Sequence, residues 1–502
     1  MKLVLQKLKY IKNNYLIETI ILIIIGIILL NTLFIYPVMG RFNNGDFDRL
    51  MVYGGLSEIA NKYSKIYDNF FHIKYVITDP GVLLPFYWDW VSEAILVKIA
   101  VILSLVAHAF TSKVFDIRFL AFIYCAIFLT GNFLILSYKR FSKVTKIVAG
   151  AFIILFFTST CYIAYFNSFY GEAATIVFFF LNIGTYLYLI TRDKPKIKDF
   201  ICFFIASGAF LTAKSQNLPL LVFMLIIYGS LYFFYREANY RKSILIGSIV
   251  VVAFCCISYG SLTDTIKENN IFQSVFRGIL LNSKHPEKDL QELGIDKKFV
   301  AYDGHSFYNK DKGLDPMGKD MLKEFYPKVS NLKILGFYLR HLDVTWERIK
   351  DAANNTYAFS DPGKWSFQKG QFDSKKMVNN FRTKLIDKFD NLHKGDYLYK
   401  FHDFYKNVYV YIVFSIIYLG ISLFYLIKSK ERDIKLLNLM LIFILITGSS
   451  QFILPMIGAG HGDFGKHLFL LNLSYDIMLG IAVAWCTQML SRVFIFLKGL
   501  SK

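Results

Sequence analysis

The hydrophobic residues of this chain fall in long runs separated by short basic or polar intervals. Runs near 16–39, 119–137, 147–163, 172–190, 199–212, 216–235, 244–262, 406–427, 436–455 and 467–487 are each predominantly apolar. About 20 such residues suffice to cross a hydrocarbon core as a helix. The stretch 93–112 is ambiguous, because Glu93, Lys98 and His108 interrupt it and Asp116 and Arg118 follow. The run at 199–212 is short and ends at Lys214-Ser215-Gln216-Asn217. With 216–235 it predicts a tilted or partly re-entrant hairpin, which lipid tolerates only where protein packs around it. Two polar segments remain, 40–118 and 263–405. In the second, 264–282 and 327–354 carry apolar residues at three- and four-residue spacing, the helical period, with Pro286, Pro327 and Pro362 as punctuation. No internal repeat is visible.

Charge placement converts the runs into a topology. Lys2, Lys7, Lys9 and Lys12 precede the first run, which is long and lacks a small-residue cleavage site, so an anchor is expected there rather than a removable signal. If 93–112 lies outside as an interfacial amphipathic helix, ten spans remain and the basic loops at 139–146, 192–198, 236–242 and 428–435 all face the cytosol. If it spans, every one of them moves outside. The expected fold is therefore an all-α polytopic membrane protein of about ten transmembrane helices with two large extracytoplasmic loops. Both termini are cytoplasmic. The expected parts are an N-terminal membrane module, 1–262, containing outer loop 40–118; an outer, mostly helical domain, 263–405; and a C-terminal membrane module, 406–502.

A hydrophobic content of 55% and a mean hydropathy of +0.41 agree with this class. The net charge of +20 does not point to nucleic acid, since the basic residues sit where the positive-inside rule puts them. All six cysteines lie in apolar runs, without disulfide or metal-thiolate spacing.

Candidate chemistry gathers in the outer turns. Asn43-Asn44-Gly45-Asp46-Phe47-Asp48-Arg49 puts two carboxylates and a guanidinium just beyond the first span. Asp46 or Asp48 can serve as a general base, and Arg49 can pair with a phosphate. The structural alternative is that Asp46 caps a helix with Asp48 in its first turn. The second cluster, 458–467, has four glycines with His461, Asp463, Lys466 and His467. Glycines allow close backbone approach to a ligand, and the start of the last span favours an anion. A metal held by His461, Asp463 and His467 is neither demanded nor excluded. Glu172 opens the span after Asn167-Ser168-Phe169-Tyr170-Gly171, Lys214 and Gln216 occupy another outer turn, and Arg118 leads into the second span. Trp88 and Trp90 are sugar-stacking or interfacial aromatics. Transporters place polar groups near the midplane, often on broken helices. Here such groups sit in the outer turns, as an enzyme working at one face requires.

The order of one span, an outer loop opening with Gly-Asp-Phe-Asp-Arg, an interfacial helix, Phe-Asp-Ile-Arg and many further spans resembles the GT-C superfamily of membrane glycosyltransferases. Within it the chain is most similar to the bacterial WsfD-type glycan hexosyltransferases, through 44–51, 167–172, 273–280, 292–295 and 462–471. The resemblance implies a catalytic aspartate in the first outer loop, Asp46 in preference to Asp48. It also implies a polyprenyl-phosphate-sugar donor and an envelope glycan or polymer acceptor at the plasma membrane. The implied reaction is an inverting hexose transfer on the extracytoplasmic side. Arg49, Lys214, Gln216, Glu172, His461, Asp463, Lys466, His467 and Arg118 are then candidates for binding donor phosphate or substrate, with a divalent metal as an optional cofactor. The rival reading is a flippase or exporter of a lipid-linked saccharide, which shares the groove and the cations but needs no base. A structural scaffold would need neither cluster.

Overall fold

The computed structural model describes residues 14–59, 70–83, 91–308, 313–357, 364–369, 406–461 and 464–500. Trp88, Trp90, Asp463 and Pro362 lie outside the described residues.

The architecture is mostly helical. Its main helices are α1 (Leu16–Leu33), α2 (Ser92–Ala107), α3 (Arg118–Leu136), α4 (Lys143–Phe152), α5 (Gly171–Ile190), α6 (Ile197–Leu211), α7 (Leu221–Phe234) and α8 (Ala238–Gly260). They are followed by α9 (Asp264–Ser274), α10 (Asn331–Arg340), α11 (Leu342–Asn354), α12 (Val408–Lys428), α13 (Arg432–Ser450), α14 (Leu454–Ala459) and α15 (Phe469–Leu500). Among the described residues, eight helices are long and apolar enough to cross a membrane: α1, α3, α5, α7 with its leading turn, α8, α12, α13 and α15. A ninth exists if α4, continued to Phe157, is counted with Thr160–Asn167, from which it is bent by 61°. The tenth apolar run is α6, whose 15 residues fall short of an unaided crossing. This is a multi-pass membrane protein.

α5 is the hub, buried along nearly its whole length. It can sit against α3 so closely because glycines meet there. A Cβ at Gly131 would come within 2.8 Å of the α5 backbone, and one at Gly184 within 2.7 Å of the Gly131 carbonyl. Small residues let helices in lipid gain dispersion contacts, since hydrophobic burial alone does not hold them together there. α2 buries Ala94, Val97, Ala100 and Val101 and exposes Ile95, Ile99, Ile102 and Val106. An outward face of isoleucine and valine suits a helix lying against a bilayer.

The loop 40–118 also holds a small antiparallel sheet, β1 (Leu56–Ser57), β2 (Lys74–Ile77) and β3 (Val114–Asp116), in the order β1-β2-β3. Tyr75 pairs with Phe115 and Lys74 with Asp116. The strands are too short for an alternating pattern to stand out in the sequence. The segment between α8 and α12 builds a core from Phe276, Phe325, Ile334 and Phe337, and this core runs without a break into Tyr411 of α12 and Leu471 and Tyr475 of α15.

Candidate active site

The turn at 43–47 is built by Asn43. Its Oδ1 accepts from the backbone N–H groups of Gly45 (2.8 Å) and Phe47 (3.2 Å), and its Nδ2 donates to Glu58 (2.9 Å). Asn43 thus closes the turn ahead of the helix, whose N-cap position falls on Phe47. The short helix Asp48–Met51 shows no side-chain cap from Asp46. Phe47 is fully buried against Phe169 and Tyr170, with ring centroids 5.4 and 4.7 Å away. The Tyr170 hydroxyl donates to the Phe42 carbonyl (2.9 Å) and accepts from the Asn44 N–H (3.3 Å). Asn167 Nδ2 donates to the Leu33 and Met39 carbonyls (2.9 and 2.8 Å). The stretch 167–170 is thus a clasp that fixes the catalytic-loop candidate to the end of α1.

The Asp46 carboxylate forms an ion pair with Lys466 Nζ. The two residues lie 420 positions apart in the chain. Lys466 also stands over the Tyr170 ring, 4.2 Å from its centroid. A second ion pair, Lys214 Nζ to Glu172 Oε1 at 2.7 Å, lies beside the first. Gln216 Nε2 donates to Gln451 Oε1 (2.5 Å) and to the His467 carbonyl (2.7 Å), holding three outer turns at one level. Arg49 is exposed at the rim, within Coulombic reach of Asp46 and Glu93, and Asp48 is exposed at the start of its short helix.

The electrostatics follow from this crowding. Burial works to raise the Asp46 pKa, but the charge and hydrogen bond of Lys466, with Lys214 and Arg49 behind it, hold the carboxyl below its usual range. Burial works against the Lys466 ammonium too, yet the charges of Glu172 and Asp46 prevail and push its pKa up. His467 is pulled down to about 3 by burial and then by the two lysines, so it is a neutral imidazole.

Sequence reasoning left one group out of the site. Glu93, in the first turn of α2, is 2% exposed, and its Oε1 accepts from the Tyr124 hydroxyl at 3.3 Å. Burial, and then the nearby Glu172 charge, push its pKa up to about 8. The available signal was a lone glutamate interrupting an apolar helix.

Two expected members, Arg118 and His461, go elsewhere. Arg118 is tied by its guanidinium to both oxygens of Asp116 and to the Phe34 carbonyl (3.2 Å), anchoring β3 to the head of α3. His461 pairs with Asp351 of α11 at 2.9 Å, and its N–H donates to the Arg277 carbonyl. Gly460 has φ +57°, and a Cβ there would lie 2.1 Å from the Gln273 carbonyl oxygen. The backbone approach that its glycine permits is thus to the chain's own segment 273–277 and not to a ligand. Among the described residues no three His, Cys, Asp or Glu side chains gather as metal ligands.

No curated protein sequence matches the chain. A solved structure of similar outline is the archaeal oligosaccharyltransferase AglB from Archaeoglobus fulgidus, in complex with an inhibitory peptide and a dolichol-phosphate. The similarity has 13% identity and a TM-score of 0.38, and covers 96% of this chain. The chain spans about half the length of that protein, 52%. At that score the likeness carries no argument. A family model described as the YfdI N-terminal transmembrane domain matches residues 5–496, almost the whole sequence, and to that family the chain belongs.

Proposed function

We propose that the protein is a GT-C-type membrane glycosyltransferase. It moves a hexose, with inversion, from a polyprenyl-phosphate carrier to a hydroxyl of an envelope glycan at the extracytoplasmic face of the plasma membrane. The observation that carries this reading is the Asp46–Lys466 ion pair, in which a carboxylate of one outer turn meets a cation of a distant one. Lys214, Glu172 and Arg49 lie around it. A base and anion-stabilising groups in one place are what such a transfer requires.

In this reading Asp46 accepts the proton of the acceptor hydroxyl as its oxygen attacks the anomeric carbon. The bond from that carbon to the carrier phosphate breaks on the opposite face. The departing phosphate takes up negative charge, which Lys466, Lys214 and Arg49 stabilise. The resting ion pair gives the step an order. When the donor phosphate draws Lys466 toward itself, Asp46 loses the partner that depresses its pKa and becomes a stronger base. The carrier's tail enters sideways between spans, and the described part of the segment after α8 helps select the acceptor.

The test is transfer of a labelled hexose from polyprenyl phosphate by full-length protein in nanodiscs. Asp46→Asn should fold normally and lose roughly 100-fold or more in turnover, the scale of a missing general base. Asp48→Asn should stay within a few-fold of wild type. An Asp46→Asn protein of undiminished turnover, or a wild type that only moves lipid-linked saccharide across a vesicle wall, would sink the proposal in favour of export.

A further inference from the structure

The end of the bundle opposite the Asp46–Lys466 cluster holds a cavity. It has a volume of about 420 Å³ and lies between the distal parts of α4, α5, α12, α13 and α15. Its shape comes from how α12 and α15 meet. Near the Asp46 end they touch through Tyr411 and Phe414 against Tyr475, with ring centroids 4.8 and 5.2 Å apart. Farther along, Ile417 of α12 and Trp485 of α15 line the cavity and are exposed on the lipid-facing side. The cleft is therefore closed at one end and open sideways at the other. From Ile477, at the closed end, to Arg492 at the mouth is about four turns of helix, or roughly 22 Å. That is close to one leaflet of a bilayer about 40–45 Å thick with its headgroup regions.

The lining is apolar apart from a few groups, and two of these lack partners. Tyr138 and Tyr418 are 5% and 7% exposed, and neither hydroxyl has a hydrogen-bond partner among the described residues. A buried hydroxyl without a partner is costly, so two on one cavity wall point to an occupant with an acceptor. At the mouth, Arg140 is already neutralised by Glu431 and by Asp433 (2.7 Å), which ties the 138–142 turn to the start of α13. Arg492 is exposed, within Coulombic reach of Tyr138, and no carboxylate among the described residues pairs with it.

We propose that this cleft is a binding site for one glycerophospholipid of the leaflet opposite the Asp46–Lys466 cluster. One acyl chain lies between α12 and α15, and the phosphate is held by Arg492 and the Tyr138 hydroxyl. The depth of the cleft favours a fatty-acyl chain over a polyprenyl chain long enough to cross the bilayer. A carrier whose phosphate lies at Lys466 cannot also place it here. The lipid wedges the distal halves of α12 and α15 apart at a fixed angle.

The experiment is native mass spectrometry of the full chain, delipidated and titrated with phosphatidylglycerol and separately with polyprenyl phosphate. Wild type should retain one phosphatidylglycerol. Tyr138→Phe, which removes one oxygen and leaves the packing alone, and Arg492→Gln should each weaken binding roughly tenfold, the loss of one hydrogen bond to a charged group. Ala482→Phe, which fills the cleft without touching the headgroup site, should abolish it. Equal phosphatidylglycerol affinity in all three variants would overturn the proposal. So would preferential retention of polyprenyl phosphate with the same sensitivity to the variants.

Discussion

The Lys466 ammonium loses most of its hydration in the cluster, the Asp46 carboxylate stays half exposed, and each is kept charged by the other. Removing the cation therefore acts first on basicity. In Lys466→Gln the burial that raises the Asp46 pKa is opposed only by Lys214 and Arg49. The acid limb of the kcat/KM profile should move to higher pH, while Lys466→Arg keeps it nearer the wild-type position. Glu93 behaves in the opposite sense. Its folded-state pKa of about 8 lies above its ordinary value of 4.5, so the folded protein holds a proton that the unfolded chain has released. Its contribution to stability is complete below pH 4.5 and is lost as pH rises through 8. Thermal unfolding in detergent at pH 6 and pH 9 should show a drop in wild type that Glu93→Gln reduces. The paired outer-turn residues, Asp46, Lys466, Lys214, Glu172 and Gln216, were legible because ionisable groups are conspicuous between apolar runs. Glu93 was not, since its partner Tyr124 comes from another helix and a first-turn glutamate reads equally as a favourable charge at a helix start. Nor could spelling place the helix start at Phe47 rather than Asp46, since aspartate is much the better cap.

At the level of elements, the close contact of α3 and α5 rests on the absence of side chains at Gly131 and Gly184. Gly184→Leu should destabilise the bundle by about 1–3 kcal/mol or more, since the hub helix cannot move aside, and detergent unfolding would measure it. A far smaller effect would mean that the two helices separate easily. The helices themselves were readable from apolar runs, including the shortness of α6. The sheet was not, because β1 and β3 have two and three residues, too few for a period of two to register. The Gly-rich turn was read as a ligand cradle, whereas Gly460 serves a long-range contact with segment 273–277. Periodicity carries no information about which distant backbone a glycine will meet.

For the molecule as a whole, sidedness decides which solution each end of the bundle meets. The basic loops lie together at one end and the Asp46–Lys466 cluster at the other, which predicts opposite accessibilities. In a background without native cysteines, a cysteine at Asn44 should react with an impermeant maleimide in intact cells, and one at Lys194 only after permeabilisation. Labelling in the reverse order would invert the topology and remove the proposed site from the outer face. The outer segment also bears on how the protein can be re-engineered. Its first helix is stitched to the turn before the last span: Ser274 Oγ donates to the Ile457 carbonyl, Gly460 lies on the Gln273 carbonyl, and the His461 N–H donates to that of Arg277. Lys466 sits five positions beyond that seam. A chimera that exchanges acceptor preference between family members must therefore transplant 264–280 and 457–461 as a matched set. A donor loop inserted alone would leave the recipient's lysine on a foundation cut for another sequence.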